Sequence, residues 1–226
     1  MSIQAKIETV IETVQTKIET AQTKIITAPN DYEQKLCSLD FTKIGGIDEV
    51  GRGPLAGPVT ACAVILPPGL IIPGANDSKK LSQKQREELA AAIKCQAIDY
   101  ALGWVDESTI DKINILQATY MAMSRALENL KIKPDALLID GLKGTWLPDI
   151  PYEFIKGGDS KSHSIACASI LAKTARDAVM VDYHKKYPQY GFDTNKGYGT
   201  TKHREAIRIY GPCPLHRRSF LGGIPL

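Results

Sequence analysis

Ile44-Gly45-Gly46-Ile47-Asp48-Glu49-Val50-Gly51-Arg52-Gly53-Pro54-Leu55-Ala56-Gly57-Pro58 is the stretch on which the reading of the fold turns. An apolar approach ends in two adjacent carboxylates, a glycine-flanked arginine follows, and a second apolar run, Val59 to Leu66, is rich in β-branched residues. This reads as strand, tight turn, strand, with the acids at the mouth of the turn. Neighbours on a strand point to opposite faces, but twist at a strand end can bring both toward one site. Gly51 and Gly53 lack a Cβ, so the backbone beside Arg52 can lie against a ligand. A polar hairpin with solvated acids reads the same stretch equally well, and the decision rests on the rest of the chain.

The chain has 226 residues, which suits one sizeable α/β domain with a short appendage. Its five cysteines, Cys37, Cys62, Cys95, Cys167 and Cys213, are odd in number and widely spaced, with no Cys-x-x-Cys pair. Zinc and a disulfide framework are therefore not expected, and reduced thiols in a cytoplasmic setting are. No run reaches the roughly 18 apolar residues of a membrane helix, and the N-terminus does not read as a secretory signal. The net charge is +3 but unevenly placed: between Ser160 and Ser219 eleven Lys or Arg stand against four acids. A basic C-terminal third beside an acidic remainder points to a polyanion near a cation site; basic surface helices with no such partner are also common.

Residues 9–29 repeat with a period of seven, placing Ile11, Val14, Ile18, Ala21, Ile25 and Ala28 at coiled-coil spacing. Three threonine-rich heptads make a marginal helix, either a docking element or a low-complexity tail, and Pro29-Asn30-Asp31 reads as a linker. The expected division is residues 1–37 as a low-complexity heptad-like extension and linker, and 38–226 as the main domain. Ser82-Gln83-Lys84-Gln85 has capping-box form, predicting a helix from about Gln83 to Lys94. Lys79 and Lys80 just before it are solvated charges or phosphate contacts. Ile98 to Val105 alternates like a strand, and Asp106 to Lys131 reads as helix with a restart at Asn114. Ala136 to Asp140 is a short buried strand ending in an acid, the end at which open α/β sheets bind ligands. Asp159 lies just before a long helix running from about Ile165 to Lys186, whose Ala166, Ala168, Ala172 and Ala175 allow close packing on the sheet. A last helix is expected from Thr201 to Tyr210. Tyr198, between glycines and among cations, is a stacking platform or an idle loop tyrosine.

Four acids thus stand at element ends: Asp48, Glu49, Asp140 and Asp159. Mutual repulsion makes such a cluster costly unless cations occupy it, and oxygen-only ligands fit Mg²⁺ or Mn²⁺. Two such ions about 3.5–4 Å apart can hold a phosphodiester and activate water.

Asp48-Glu49-Val50-Gly51-Arg52-Gly53-Pro54-Leu55-Ala56-Gly57-Pro58-Val59, Asp77-Ser78-Lys79-Lys80-Leu81, Leu138-Ile139-Asp140-Gly141, Gly158-Asp159-Ser160-Lys161-Ser162, Ala172-Lys173-Thr174-Ala175-Arg176-Asp177, Gly197-Tyr198-Gly199-Thr200 and His216-Arg217-Arg218-Ser219-Phe220 together resemble ribonuclease HII, the type 2 ribonuclease H. The resemblance runs in order from about Ile44 to Phe220. It implies an RNase H-like α/β fold: a central mixed five-stranded sheet flanked by helices, with a C-terminal helical and loop extension. It implies two-metal cleavage of the RNA strand of RNA–DNA hybrids and incision 5′ of single ribonucleotides in duplex DNA, leaving 5′-phosphate and 3′-hydroxyl ends. Asp48, Glu49, Asp140 and Asp159 match the family's metal-binding carboxylates. Gly51, Arg52 and Gly53 match the turn that contacts the ribose 2′-hydroxyl, and Tyr198 the tyrosine that packs on the sugar at the RNA-to-DNA junction. Lys79, Lys80, Lys161 and Ser162 are expected among the nucleic-acid contacts, and the protein is expected to be a monomer without a membrane partner. The N-terminal heptads lie outside the family core, and Cys167 stands where alanine is usual.

Overall fold

The computed structural model describes residues 26–141 and 148–224. The predicted heptad helix lies almost wholly outside them. Five strands form one mixed sheet: β1 (Ile44–Val50), β2 (Val59–Ile65), β3 (Asp99–Val105), β4 (Ala136–Asp140) and β5 (Tyr152–Ile155), in the order β3-β2-β1-β4-β5. β1 pairs antiparallel with β2 and parallel with β4, so the C-terminal ends of β1 and β4 lie side by side.

Side-chain alternation sorts the two faces. Val59, Ala61, Ala63 and Ile65 of β2 and Ile47 of β1 pack with α3 (Glu107–Glu128). Cys62 and Val64 pack on the other face with α2 (Gln83–Gln96) and α4 (His163–Lys186). The thiol of Cys167 sits buried in that second cluster, filling the space of a small apolar residue. The capping box at Ser82 and Gln85 forms as the sequence predicts. So does the restart in α3: Asn114 leaves the helical conformation at φ 68°, and its side-chain oxygen accepts the backbone N–H groups of Leu116 and Gln117. In β3 the small residues Ala101 and Gly103 face α3, while Tyr100 and Leu102 pack on the α2 face. A Cβ on Gly103 would stand 2.0 Å from the Ala122 carbonyl oxygen, so α3 lies directly on the strand. Gly46 does the same for α4, where a Cβ would meet the Ser164 backbone at 2.3 Å.

Two expectations need correction. Part of the segment read as a linker is helix α1 (Asp31–Cys37). Its Glu33 carboxylate accepts the Ser162 hydroxyl (2.6 Å), the Ser164 N–H (2.8 Å) and the Ser164 hydroxyl (2.6 Å), bracing the start of α4. An acid at a helix N-terminus meets unpaired N–H groups and the positive end of the dipole, which the sequence pattern alone does not reveal. The connection from β1 to β2 is not a tight turn but a loop, Gly51 to Pro58, held from beneath by two fully buried arginines. Arg176 donates to the carbonyls of Pro58 (2.9 Å), Lys196 (2.9 Å) and Ala56 (3.1 Å). Arg217 donates to Gly51 (2.6 Å), Arg52 (3.0 Å) and Gly57 (2.7 and 2.9 Å). Gly51 has φ +92° and is itself buried; a Cβ there would stand 2.4 Å from the Arg176 Nε. Its lack of a side chain leaves the room that the arginine occupies.

The C-terminal extension, α5 (Phe192–Asn195) and α6 (Thr201–Tyr210) with the segment to Ile224, closes a separate apolar cluster around Met180, Tyr190, Phe192 and Ile207.

Removing the Arg217 guanidinium strands the carbonyls of Gly51, Arg52 and Gly57 without their buried donors. Arg217→Met should lower unfolding free energy by about 3 kcal/mol or more, since each orphaned buried group costs roughly 1–3 kcal/mol. Urea denaturation checks this, and an unchanged midpoint would show that the loop does not depend on the arginine.

Candidate metal centre

The parallel register of β1 and β4 builds the site. Ile47 stands opposite Ile139, so the next residues, Asp48 and Asp140, fall side by side on the α4 face at the strand ends. Glu49, one residue on, stays in reach. Oxygen atoms of Asp48, Glu49 and Asp140 all lie within 4.8 Å of one another. Backbone and side-chain donors orient the group. Asp48 Oδ1 accepts the Glu49 N–H at 2.7 Å, and Asp140 Oδ1 accepts the Gly158 N–H at 2.6 Å. The Ser169 hydroxyl, 2.9 Å from that of Ser78, hydrogen-bonds Asp48 from α4.

Asp159 sits in the single 3₁₀ turn Gly158–Ser160 between β5 and α4. It is outside the group of three; its Oδ2 receives Lys79 Nζ at 3.2 Å. It is near enough to Asp140 for its charge to raise that carboxyl's pKa. Burial is the main cause that lifts all three clustered carboxyls. For Asp48 the charges of Glu49 and Asp140 add to it, pushing the group well above the usual carboxylate range. For Glu49 the Arg52 guanidinium, 3.3 Å away, opposes the rise and Asp140 adds to it. For Asp140 the Gly158 N–H opposes it. Three crowded, desolvated, oxygen-only ligands with one contacting arginine fit a hard divalent cation.

A groove of about 620 Å³ opens beside the acids, lined among others by Glu49, Lys79, Lys173 and Tyr198. The Arg52 side chain is half exposed, and Gly53 is exposed. The Tyr198 ring leans on the same turn: a Cβ on Gly53 would stand 3.7 Å from its Cε1. Tyr198 is 42% exposed, as its place between glycines predicts. Lys80 is exposed beside Asp77, and Lys161 is exposed and donates to the Lys156 carbonyl at 2.8 Å. Ser162 departs from expectation. It is fully buried, caps α4 and gives its hydroxyl to Glu33, so its side chain is closed to a nucleic acid.

Sequence reasoning missed Ser169, Arg176, His203, His216 and Arg217 as parts of the site's framework. For Ser169 and Arg176 a signal existed: polar residues in an alanine-rich helix whose small side chains predict burial. For the two histidines the sequence offers none, because their partners are each other and the backbone groups of Tyr198 and Cys213, which carry no side-chain signature.

The Ribonuclease HII family model matches residues 45–222. Among curated relatives, Ribonuclease HII of Syntrophotalea carbinolica is 51% identical over 195 residues, covering 86% of this chain and 93% of the relative. That of Chlamydia pneumoniae is 54% identical over 191 residues, covering 84% and 88%. The crystal structure of the ribonuclease H2 from Pyrococcus horikoshii OT3 superposes with a TM-score of 0.65 at 26% identity, over 78% of this chain and 93% of that one.

The raised carboxyl pKa values set a sign. The metal-free folded state holds these protons more tightly than the unfolded state, so the group's contribution to stability falls as pH rises above the ordinary carboxylate range. Asp48→Asn should therefore raise the melting temperature of the metal-free protein at pH 7, by about 2–4 °C. The gain should shrink toward pH 4, and the variant should lose the stabilisation that Mg²⁺ gives the wild type. Calorimetry with EDTA and with MgCl₂ checks this; a variant less stable than wild type without metal would refute the strain.

Proposed function

The chain belongs to the ribonuclease HII family, endoribonucleases that cut the RNA strand of RNA–DNA hybrids, and on that premise we propose its finer activity. It incises duplex DNA 5′ of a single embedded ribonucleotide, as well as hybrids, and leaves 5′-phosphate and 3′-hydroxyl ends. The observation that carries this reading is the convergence of Asp48, Glu49 and Asp140 beside an exposed turn that Tyr198 overhangs.

Asp48, Glu49, Asp140 and Asp159 would hold two divalent ions, Mg²⁺ or Mn²⁺. What bound ions supply there is Lewis-acid polarisation of the scissile phosphodiester, a lowered pKa for water, and charge stabilisation of the departing 3′ oxygen. The protein's own groups do the rest. Lys79, held by Asp159, faces the groove where a phosphate would enter. The turn Gly51-Arg52-Gly53 meets the wide minor groove of an A-like segment, where the 2′-hydroxyl distinguishes RNA from DNA. Tyr198 packs on the sugar of the following deoxynucleotide, which a 2′-hydroxyl would crowd. Lys80 and Lys161, both exposed, add phosphate contacts that anchor the duplex without reading it.

Residues 38–226 would carry the catalysis, with residues 1–37 as an extension whose α1 braces α4. No described helix is long and apolar enough to cross a membrane. Five free thiols support a cytoplasmic setting, and the proposed working form is a monomer.

A panel of four duplexes tests the activity: DNA alone, DNA with one ribonucleotide, a uniform hybrid, and double-stranded RNA. Cleavage with Mg²⁺ of the second and third only, abolished by EDTA, is expected; cutting of plain DNA would point to a different phosphodiesterase. Asp140→Asn should reduce the rate by at least about 10³-fold while duplex binding persists, because it removes transition-state charge stabilisation rather than affinity. Retained turnover in that variant would remove Asp140 from the centre.

A further inference from the structure

Behind Tyr198 two imidazoles lie buried in the C-terminal cluster, His203 fully and His216 at 2% exposure. Neither touches the acids. Tyr190 and Phe192 wall them in, with ring centroids 4.8 Å apart for Tyr190 and His216 and 5.4 Å for Phe192 and His203. Their nitrogens form one chain of contacts. The Cys213 N–H meets His216 Nδ1 at 3.0 Å, His216 Nε2 meets His203 Nε2 at 3.1 Å, and His203 Nδ1 meets the Tyr198 carbonyl at 2.8 Å.

The two ends of this chain determine every proton in it. An amide N–H only donates, so His216 Nδ1 is the acceptor and its ring proton is on Nε2. That proton points to His203 Nε2, which must accept, leaving the His203 proton on Nδ1. A carbonyl only accepts, so His203 Nδ1–H donates to Tyr198. The Cys213 carbonyl, 3.3 Å from His216 Nδ1, favours the opposite tautomer, while the Cys213 thiol, 3.2 Å from the same nitrogen, can donate to it as the amide does. That tautomer would set two N–H groups against each other at Cys213, and the shorter amide contact decides. Burial lowers the pKa of both rings, that of His216 to about 4 with help from His203, so both are neutral at physiological pH as the wiring needs.

The chain ends on the tyrosine that overhangs Gly53. The same segment is tied to the turn by the Leu55 N–H, which donates to the Gly197 carbonyl at 2.8 Å, and by the bridge between Ala56 and His216. Gly197, at φ +86°, lies so close that a Cβ would stand 2.3 Å from the Ala56 oxygen. One end of the histidine chain thus meets the turn and the other holds the Tyr198 peptide.

We propose that His216 and His203 are positioning residues for junction specificity: their relay of hydrogen bonds fixes the Tyr198 peptide so that its ring stays beside Gly53. This rests on the reading of Tyr198 as the group that recognises the RNA-to-DNA junction. The relay orients Tyr198 and touches no reacting atom. A shift of the ring by an ångström would cost discrimination and leave the carboxylates where they are.

The readout is the ratio of cleavage rates on a single-ribonucleotide duplex and on a uniform hybrid, measured for the full chain with Mg²⁺. Tyr198→Ala sets the scale, and His203→Phe fills the aromatic space without the hydrogen bonds. His203→Asn returns a donor near the position of Nδ1. The expected result is a ratio lowered about tenfold by Tyr198→Ala and by His203→Phe, and largely restored in His203→Asn. A ratio that falls in Tyr198→Ala but not in His203→Phe overturns the relay alone. An unchanged ratio in Tyr198→Ala overturns the tyrosine's role and the relay with it. Failure of His203→Asn to restore the ratio assigns the effect to packing and overturns the hydrogen-bond role. Nitrogen NMR of the wild type reads the wiring without any variant: His203 protonated on Nδ1 and His216 on Nε2 at pH 7 are expected, and either opposite tautomer refutes it.

Discussion

The parallel pairing of β1 with β4 is the constraint from which the site follows. Once Ile47 stands opposite Ile139, Asp48 and Asp140 must fall on the same face of neighbouring strands, at the ends where the sheet stops. A slip of one residue would turn one acid into the opposite core. Register is secured by the apolar pattern on both faces, and the close seat of α4 on Gly46 adds a steric lock. The cost of the arrangement is concentrated negative charge in a desolvated corner. Hydrogen bonds from Gly158 and Ser169 and the single arginine contact at Glu49 offset only part of it. Three oxygen-only ligands crowded in this way fit a hard divalent cation.

A second layer of the structure serves the loops rather than the acids. Arg176 and Arg217 are fully buried, and among the described residues neither forms an ion pair; their donors go to backbone carbonyls of Gly51 to Pro58 and Lys196. Guanidinium suits this task because its planar fork of donors can bind several carbonyls at fixed angles. The charge is dispersed over peptide dipoles, and the loop gains rigidity it could not obtain from its own glycine-rich backbone. Joined to the histidine relay, the arginines make the turn and Tyr198 a single unit. That unit stands next to the acids and meets them through the Arg52 guanidinium, which donates to Glu49 at 3.3 Å.

Much of this was legible in the sequence, and for a common reason. The strands, the long helices, the cap at Ser82 and the break at Asn114 are local: periodicity of 2 or 3.6 and a capping side chain act within a few residues. The acids were legible as candidates because Asp48, Glu49 and Asp140 end apolar runs and Asp159 stands just before a long helix. Tyr198 was legible as exposed because glycines flank it. Motif order then tied these pieces to a family that the match over residues 45–222 bears out.

The tertiary structure alone decided which of those residues meet. It brought Asp48, Glu49 and Asp140 together and set Asp159 slightly apart on Lys79. It buried Ser162 and made Asp31–Cys37 a helix that braces α4. It also gave Arg176, Arg217, His203 and His216 their work. The arginine and Glu33 contacts join groups separated by about 20 to more than 150 residues, and the histidines bond to each other and to nearby peptide groups; backbone partners of this kind carry no side-chain signature. Local pattern determines what an element is; only packing determines what its ends touch.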